Sequence, residues 1–361
     1  MKATRKLHDA GQSIWLDNIT RGLLDSGTLQ KYVNELSVTG LTSNPTIFDQ
    51  AISKGGDYDE GIRRLTAQGR AGEDLFFDLA IEDLTRAADI FKPIHEATNR
   101  VDGYVSLELS PTIAFDTKTS IAEAKALWAR AARPNLFIKI PGTPEGLPAI
   151  EESIFAGVPI NVTLLFSREQ YVAAAEAYIR GIERRVAAGL NPHVASVASL
   201  FVSRWDVAAQ GKVPAALEAK IGIAIAQRAY KAYREILASD RWLRLLNHGA
   251  RSQRILWAST GTKDPKLSDL LYVSALAAPH TVDTMPEKTL LALGDHGEIG
   301  ALMKHDGGDA ETVLGEATRA GVDLDAMAAK LQKDGAASFV KSWTDLLGVL
   351  EQKSAKLKRA G

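Results

Sequence analysis

The chain has 361 residues, with 43 lysines and arginines against 44 aspartates and glutamates, and it has no cysteine. The missing cysteine excludes thiolate nucleophiles, cysteine-ligated zinc, iron–sulfur clusters and disulfides. A formal charge of −1 gives no long-range field to attract nucleic acid or an anionic membrane surface, so we expect neither as a partner. Any anion must be held by local groups.

The amino-terminal stretch does not resemble a signal peptide. It has no apolar core, because Asp9, Gln12 and Asp17 interrupt it. Apolar runs elsewhere fall well short of the roughly 18 residues that a membrane span needs. We therefore expect a cytoplasmic protein, and the sequence leaves open whether it is a monomer or a homodimer.

Short β-branched runs that end in loops recur along the chain, and most are followed by a segment with helical periodicity. They cover 12–17, 36–41, 103–109, 135–140, 158–164, 194–198, 254–258 and 279–283. Alternating strands and helices in this number favour a (β/α)8 TIM barrel over an open sheet.

The intervening segments with helical periodicity include 72–97, 167–188 and 213–238, and only helix is predicted from about 309 onward. Ser167 resembles a helix cap at the start of the second segment. A minimal barrel takes about 250 residues, so the remainder fits added helices. We expect one domain over 1–361, with a barrel from about 10 to 297 and a helical extension from about 298 to 361.

Lys139 stands inside an apolar run, Phe137 to Pro141. Loss of hydration in such a strand disfavours the charged form of the amine. A neutral amine is the nucleophile that forms a Schiff base with a carbonyl substrate. The structural alternative is that Lys139 extends from the strand end toward water or pairs with a carboxylate.

Polar residues stand at the carboxyl ends of other predicted strands, where barrels build their active sites. They are Asp17, Thr42, Asn44, Glu108, Asn161 and Thr163. Asp17 could simply cap a helix, whereas Glu108 lies in an apolar strand and needs a buried partner. Two carboxylates and a lysine at one barrel mouth would supply proton transfer around an imine.

A second group of residues suits an anion. Ser199 and Arg204 follow one predicted strand, and Ser259 and Lys263 follow the next. Hydroxyls, backbone amides and one or two cations are typical of a phosphate-monoester site. The seven histidines show no metal-ligand spacing, and no nucleotide-binding glycine motif is present, so we expect neither a catalytic metal nor a cofactor.

Taken together, four motifs make the chain resemble the transaldolases. They are Leu41-Thr42-Ser43-Asn44-Pro45, Val105-Ser106-Leu107-Glu108 followed by Asp116-Thr117, Phe137-Ile138-Lys139-Ile140-Pro141, and Asn161-Val162-Thr163-Leu164-Leu165-Phe166-Ser167. The resemblance implies a class I aldolase-like barrel, circularly permuted relative to other lysine aldolases, with the lysine on the fourth strand. The residues of these motifs and the helical tail are similar to those of a longer bacterial branch of the family.

The resemblance also implies catalytic roles. Lys139 would attack the C2 carbonyl of a ketose phosphate, and Asp17 would take the proton of the C4 hydroxyl. Glu108, oriented with a water by Thr163, would move protons during imine formation. A dihydroxyacetone unit would then pass from sedoheptulose 7-phosphate to glyceraldehyde 3-phosphate, giving erythrose 4-phosphate and fructose 6-phosphate.

The implied binding residues are Thr42, Asn44, Asn161, Ser199, Phe201, Arg204, Ser259 and Lys263. Asn44 and Asn161 would hold the three-carbon enamine, and Ser199, Arg204 and Ser259 the phosphate. The family's S-P-F-V-G-R loses its proline and glycine here, and its A-S-F-R loop is replaced by Ala258 to Lys263. We therefore place the second phosphate cation on Lys263.

Two alternatives stay open. One is an aldolase that releases dihydroxyacetone from fructose 6-phosphate. By resemblance, that branch has glutamine at the position of Glu108 and tyrosine at the position of Phe201. This sequence has glutamate and phenylalanine there, which favours transfer over release. The other is a non-catalytic sugar-phosphate binding protein on a barrel scaffold. Retention of Lys139, Asp17 and Glu108 together argues against it.

Overall fold

The structure is a computed structural model that describes residues 1–359. Its strands are β1 (Gln12–Asp17), β2 (Val38–Thr42), β3 (Val105–Glu108), β4 (Leu136–Pro141), β5 (Ile160–Leu165), β6 (Ser196–Phe201), β7 (Arg254–Ala258) and β8 (Thr281–Met285). They form one parallel sheet in the order β2-β1-β8-β7-β6-β5-β4-β3. Backbone hydrogen bonds from Leu41 to Tyr104 and from Gly103 to Thr39 join β2 to the start of β3. The predicted (β/α)8 barrel is confirmed, with Lys139 on its fourth strand.

The helices before β5 are α1 (Ala3–Asp9), α2 (Arg21–Asp25), α3 (Thr28–Leu36), α4 (Pro45–Lys54), α5 (Asp59–Ala67), α6 (Gly72–Ala97), α7 (Thr117–Ala131) and α8 (Gly146–Ala156). Those after β5 are α9 (Arg168–Ala187), α10 (Ser203–Ala209), α11 (Ile221–Ala238), α12 (Asp240–Asn247), α13 (Leu271–Ala275), α14 (Glu287–His296), α15 (Ala310–Arg319) and α16 (Leu324–Arg359). Short 3-10 turns occur at Pro111–Ile113 and Ala215–Leu217.

The predicted helix over 213–238 is wrong in its first part. The segment opens with a 3-10 turn, and α11 starts only at Ile221. Ala219 has φ +58°, a left-handed conformation that a continuing α-helix of L-residues cannot contain. The other long predictions are confirmed, since α6 and α9 have nearly the predicted bounds and Ser167 accepts a hydrogen bond from the Gln170 amide as the cap of α9.

Aromatic side chains fill the amino-terminal half of the barrel. Tyr104 stacks on Phe137 with ring centroids 4.2 Å apart, and the Trp15 ring lies 6.1 Å from Phe137. A Cβ at Gly40 would lie 2.7 Å from the Trp15 indole, so only glycine lets this ring cross the barrel. Because these rings fill the amino-terminal half of the barrel, the space for a site beside Lys139 lies at the carboxyl-terminal mouth.

The long helix α16 returns to that mouth. Gln332 donates hydrogen bonds of 2.9 Å to the carbonyls of Gly142 and Leu164, at the ends of β4 and β5. Further along, Trp343 packs against Phe76 and donates to Glu73. α16 is thereby fixed across the mouth by polar contacts and aromatic packing. Within residues 1–359, no helix combines the length and apolarity needed to cross a bilayer.

Candidate active site

Lys139 lies inside the barrel with 4% of its surface exposed. In the strand register it lies between Glu108 on β3 and Asn161 on β5. Its Nζ donates to Glu108 Oε2 and to the Ser43 carbonyl, both at 3.1 Å. The amine therefore does not extend toward water at the strand end. It pairs with a carboxylate, and it does so at the wall of a cavity.

Glu108 is a buried carboxylate with an incomplete set of partners. Burial raises the pKa of its carboxyl, although the Lys139 charge and hydrogen bond oppose that shift. Among the described residues, its Oε1 has no hydrogen-bond partner, and neither does Thr163 Oγ1 on β5. Buried polar atoms of this kind are usually satisfied. Both atoms therefore have unused hydrogen-bonding capacity in the core around Lys139.

Asp17 ends β1 and does not cap the following helix, because Thr20 accepts the capping bond from the Leu23 amide. Thr42 donates to Asp17 Oδ1 at 2.7 Å and shares a 2.6 Å hydrogen bond with Thr284. Since Thr42 has one proton to give, Thr284 is the donor of the second bond. Burial raises the pKa of Asp17, with Lys139 as the strongest opposing charge.

A cavity of about 480 Å³ opens at the carboxyl ends of the strands. It is lined by Asp17, Thr42, Asn44, Lys139, Thr163, Ser199, Phe201, Arg204, Ser259 and Lys263. The other two predicted residues, Glu108 and Asn161, do not line it and instead bond to residues that do or lie near it. Residues 1–359 hold no group of three or more His, Asp or Glu side chains arranged for a metal ion.

Two predicted binding residues also have structural duties that the sequence did not indicate. Asn44 caps α4, and its Oδ1 accepts the Ile47 amide at 3.1 Å, which leaves its side-chain nitrogen for a ligand. Ser199 donates to Asn161 Oδ1 at 2.7 Å, and Asn161 donates in turn to Ser106 Oγ at 3.1 Å. This chain of bonds orients the polar side chains of β3, β5 and β6.

A second part of the cavity lining is cationic and includes Arg204 and Lys263. The Arg204 guanidinium lies 5.0 Å from the Phe201 ring centroid, and burial lowers its pKa from a very high ordinary value. Within the described residues, neither Arg204 nor the exposed Lys263 has a carboxylate within 4 Å. Ser259 shares a 2.9 Å hydrogen bond with Ser203. Cations and hydroxyls without competing carboxylates suit a phosphate.

Sequence reasoning missed three contributors. Thr284 lines the cavity from β8, and its position directly after the predicted strand 279–283, at a strand's carboxyl end, was the available signal. The Ser43 carbonyl accepts from Lys139, which no side-chain pattern reveals. Phe339 of α16 lies 5.9 Å from both Lys139 Nζ and the Arg204 guanidinium, a contact across 200 residues of sequence with no local signal.

The comparisons with known proteins agree with this geometry. Residues 14–350 match the family described as Transaldolase/Fructose-6-phosphate aldolase. A transaldolase of Saccharopolyspora erythraea is 45% identical over 359 residues, covering 98% of each chain. One from Thermobifida fusca is 44% identical over 97% of this chain and 98% of its own, and transaldolase 2 of Nostoc punctiforme is 41% identical over 95% of both. The chain belongs to the transaldolase/fructose-6-phosphate aldolase family.

Proposed function

We propose that the protein is a transaldolase, a metal-independent transferase of the non-oxidative pentose phosphate pathway. It transfers a dihydroxyacetone unit from sedoheptulose 7-phosphate to glyceraldehyde 3-phosphate, giving erythrose 4-phosphate and fructose 6-phosphate. The observation that carries the proposal is the buried Lys139 amine at the wall of a cavity that also holds Asp17 and Arg204. Near-full-length similarity to relatives named transaldolase supports it.

The first step is condensation. Lys139 passes a proton to Glu108, 3.1 Å away, and the neutral amine attacks C2 of the ketose. Protonation of the resulting hydroxyl lets the C2–O bond break and water leave, which forms the protonated imine. Because burial raises the pKa of Glu108, its carboxyl suits a group that takes up a proton and returns it during the reaction. Thr163 lies on β5, which is separated from the β3 strand of Glu108 by β4. From there it orients Glu108 and the departing water.

The second step is carbon–carbon cleavage. Asp17 takes the proton of the C4 hydroxyl, the C3–C4 bond breaks, and its electron pair moves into the imine to give an enamine. The first aldose phosphate leaves as the aldehyde. The enamine then attacks the aldehyde carbon of the acceptor, Asp17 returns the proton, and water hydrolyses the new imine. Thr284 and Thr42 hold Asp17 in place through their hydrogen bonds.

Different parts of the cavity lining bind the two ends of the substrate. The Asn44 side-chain nitrogen and Asn161 hold the three-carbon unit near Lys139. Arg204 binds the phosphate together with the Ser199 and Ser259 hydroxyls, and Lys263 adds a second charge at the cavity rim. Phe201 packs under the Arg204 guanidinium and fixes its direction.

The experiment that tests this function separates it from both alternatives. Fructose 6-phosphate is supplied with and without erythrose 4-phosphate, and free dihydroxyacetone and sedoheptulose 7-phosphate are quantified. The proposal predicts rapid formation of sedoheptulose 7-phosphate with the acceptor and little ketone without it. Dihydroxyacetone release that is indifferent to the acceptor would instead identify an aldolase. Absence of any turnover would identify a binding protein.

Other expectations from the sequence belong to the proposal as well. We propose one domain over 1–361, made of a barrel from about 10 to 297 and a helical extension from about 298 to 361. Its last two residues lie outside those that the structure describes. The circular permutation, the cytoplasmic location and a monomeric or homodimeric state also stay predictions.

A further inference from the structure

A second cavity, of about 360 Å³, lies at the end of the barrel opposite Lys139. Its floor is formed by residues at the starts of strands, among them Phe137, Val197 and Arg254. Residues of α11 and α12 form one wall, including Leu237 and Trp242. The aromatic filling of the lower barrel separates this cavity from the active site, so a ligand here does not compete with the substrate for space.

The lining of this cavity is strongly cationic. Four arginines, Arg100, Arg234, Arg251 and Arg254, surround it together with His280, and the lining includes no aspartate or glutamate. The chain as a whole carries a formal charge of −1, so this concentration of positive charge is local. The positive charges in the cavity repel one another, and a bound anion would offset that repulsion.

Most of these arginines lack a carboxylate partner among the described residues. Arg254 is held by Asp102 at 3.6 Å and donates to Ser13 Oγ at 2.6 Å. Within residues 1–359, Arg100, Arg234 and Arg251 have no carboxylate within 4 Å. The Arg251 Nε is buried and finds no hydrogen-bond partner in the described part of the chain. A buried guanidinium nitrogen without an acceptor is costly, so the Arg251 side chain is poorly satisfied where it lines the cavity.

Two nearby histidines report the same positive potential. The pKa of His193 is lowered by burial and then by the charges of Arg251 and Arg100. The pKa of His280 is lowered by burial and then by Arg234 and Arg254. Both rings are thus kept neutral near pH 7, and the arginines carry the charge of the cavity.

We propose that this cavity binds a small anion carrying two phosphate groups. Guanidinium groups match phosphate oxygens in paired hydrogen bonds. One phosphate monoester brings a charge of about −1.5 to −2 at pH 7, which leaves three unpaired arginines incompletely neutralised. Two phosphates balance them. A volume of about 360 Å³ is suited to a small metabolite and too small for a folded partner.

The test is calorimetric titration with inorganic pyrophosphate in the Arg204→Ala background, which removes the main phosphate ligand proposed for the active site. We expect one pyrophosphate per chain, an affinity that falls as salt is added, and at least tenfold weaker binding of orthophosphate. Arg234→Gln with Arg251→Gln should weaken pyrophosphate binding at least tenfold. Arg244→Gln, on exposed α12 surface outside the cavity, is the matched control and should leave the affinity unchanged.

Circular dichroism of each variant separates lost binding from lost folding, and Arg234→Lys supplies a milder change if the double variant unfolds. A lysine keeps the charge but loses the paired geometry, so it should weaken binding by a smaller factor. Absence of pyrophosphate binding in folded Arg204→Ala protein would overturn the proposal. Equal affinities of the double variant and Arg244→Gln would do the same.

Discussion

At the scale of single residues, the ion pair between Lys139 and Glu108 is better explained by chemistry than by stability. Taking two charges out of water costs several kcal/mol per ion, and their attraction repays that only with complete hydrogen bonding. Glu108 Oε1 has no hydrogen-bond partner within residues 1–359, so the hydrogen bonding of the pair is incomplete there. The arrangement instead keeps an amine and a proton acceptor 3.1 Å apart, with both side chains almost fully buried.

The hydrogen bond from Thr42 should control the pH at which Asp17 becomes active. Asp17 works as a base, so activity falls when pH falls through its raised pKa, and the Thr42 bond lowers that pKa. Thr42→Val removes the bond, so the acid limb of kcat/KM should move to higher pH. Profiles of both proteins measure this, and Thr46→Val, at a cavity threonine whose hydroxyl bonds Ser342 and not Asp17, is a control whose limb stays in place. A limb that stays fixed or moves to lower pH in Thr42→Val would contradict the assignment.

The two cations that bind the phosphate, Arg204 and Lys263, should contribute unequally to substrate affinity. Arg204 is largely buried and Lys263 is exposed, so the arginine bond is desolvated while the lysine charge is screened. We expect Arg204→Ala to raise KM for sugar phosphates about 100-fold and Lys263→Ala only a few-fold. Steady-state kinetics of both variants test the order. A larger effect at Lys263 would reverse our assignment of the main phosphate ligand.

At the scale of secondary structure, residue periodicity was enough to locate the strands and the polar residues at their ends. Alternation put Asn161 and Thr163 on one face of β5, and both do face the barrel interior. Periodicity failed at α11, because the left-handed conformation at Ala219 leaves no mark in a residue that favours helices. It also missed Asn44 as a cap, since the same residue type serves caps and ligands.

Asp283 on β8 should make stability depend on pH. Burial raises its pKa to about 7. Within the residues that the structure describes, only one of its carboxylate oxygens has a hydrogen-bond partner, the Thr260 hydroxyl at 2.8 Å. The folded pKa exceeds the unfolded value, so stability falls as pH rises from about 4 to about 7 and is level above.

The isosteric Asp283→Asn variant lacks this loss. It should be more stable than the parent by up to a few kcal/mol at pH 8, and the difference should shrink at pH 4. Urea unfolding at both pH values measures it. Asp57→Asn, at an exposed carboxylate, is the control without such a trend. A difference in stability that is independent of pH would show that Asp283 stays ionised in the folded protein.

At the scale of the whole molecule, α16 joins the carboxyl-terminal segment to the barrel mouth. Its Phe339 ring faces both Lys139 and Arg204, and Gln332 binds the ends of β4 and β5. This placement could not be predicted from the sequence. An amphipathic helix records which of its faces is apolar and does not record which distant surface covers that face.

The Phe339 ring should matter to substrate binding more than to folding. Phe339→Leu keeps most of the buried apolar volume and removes the aromatic face beside the two cations. We expect KM for sugar phosphates to rise several-fold while Tm changes by only a few degrees. Trp343→Phe, farther along α16, is the comparison and should affect Tm without the same change in KM. An unchanged KM in Phe339→Leu would show that α16 only covers the barrel.

The central claim for the molecule is that its covalent chemistry belongs to Lys139. The direct measurement is to incubate the protein with fructose 6-phosphate, reduce it with borohydride, and locate the added mass by peptide mapping. The account predicts a three-carbon adduct on Lys139, and none in a folded Lys139→Met protein. An adduct on another lysine, or the absence of any adduct in the parent protein, would contradict it.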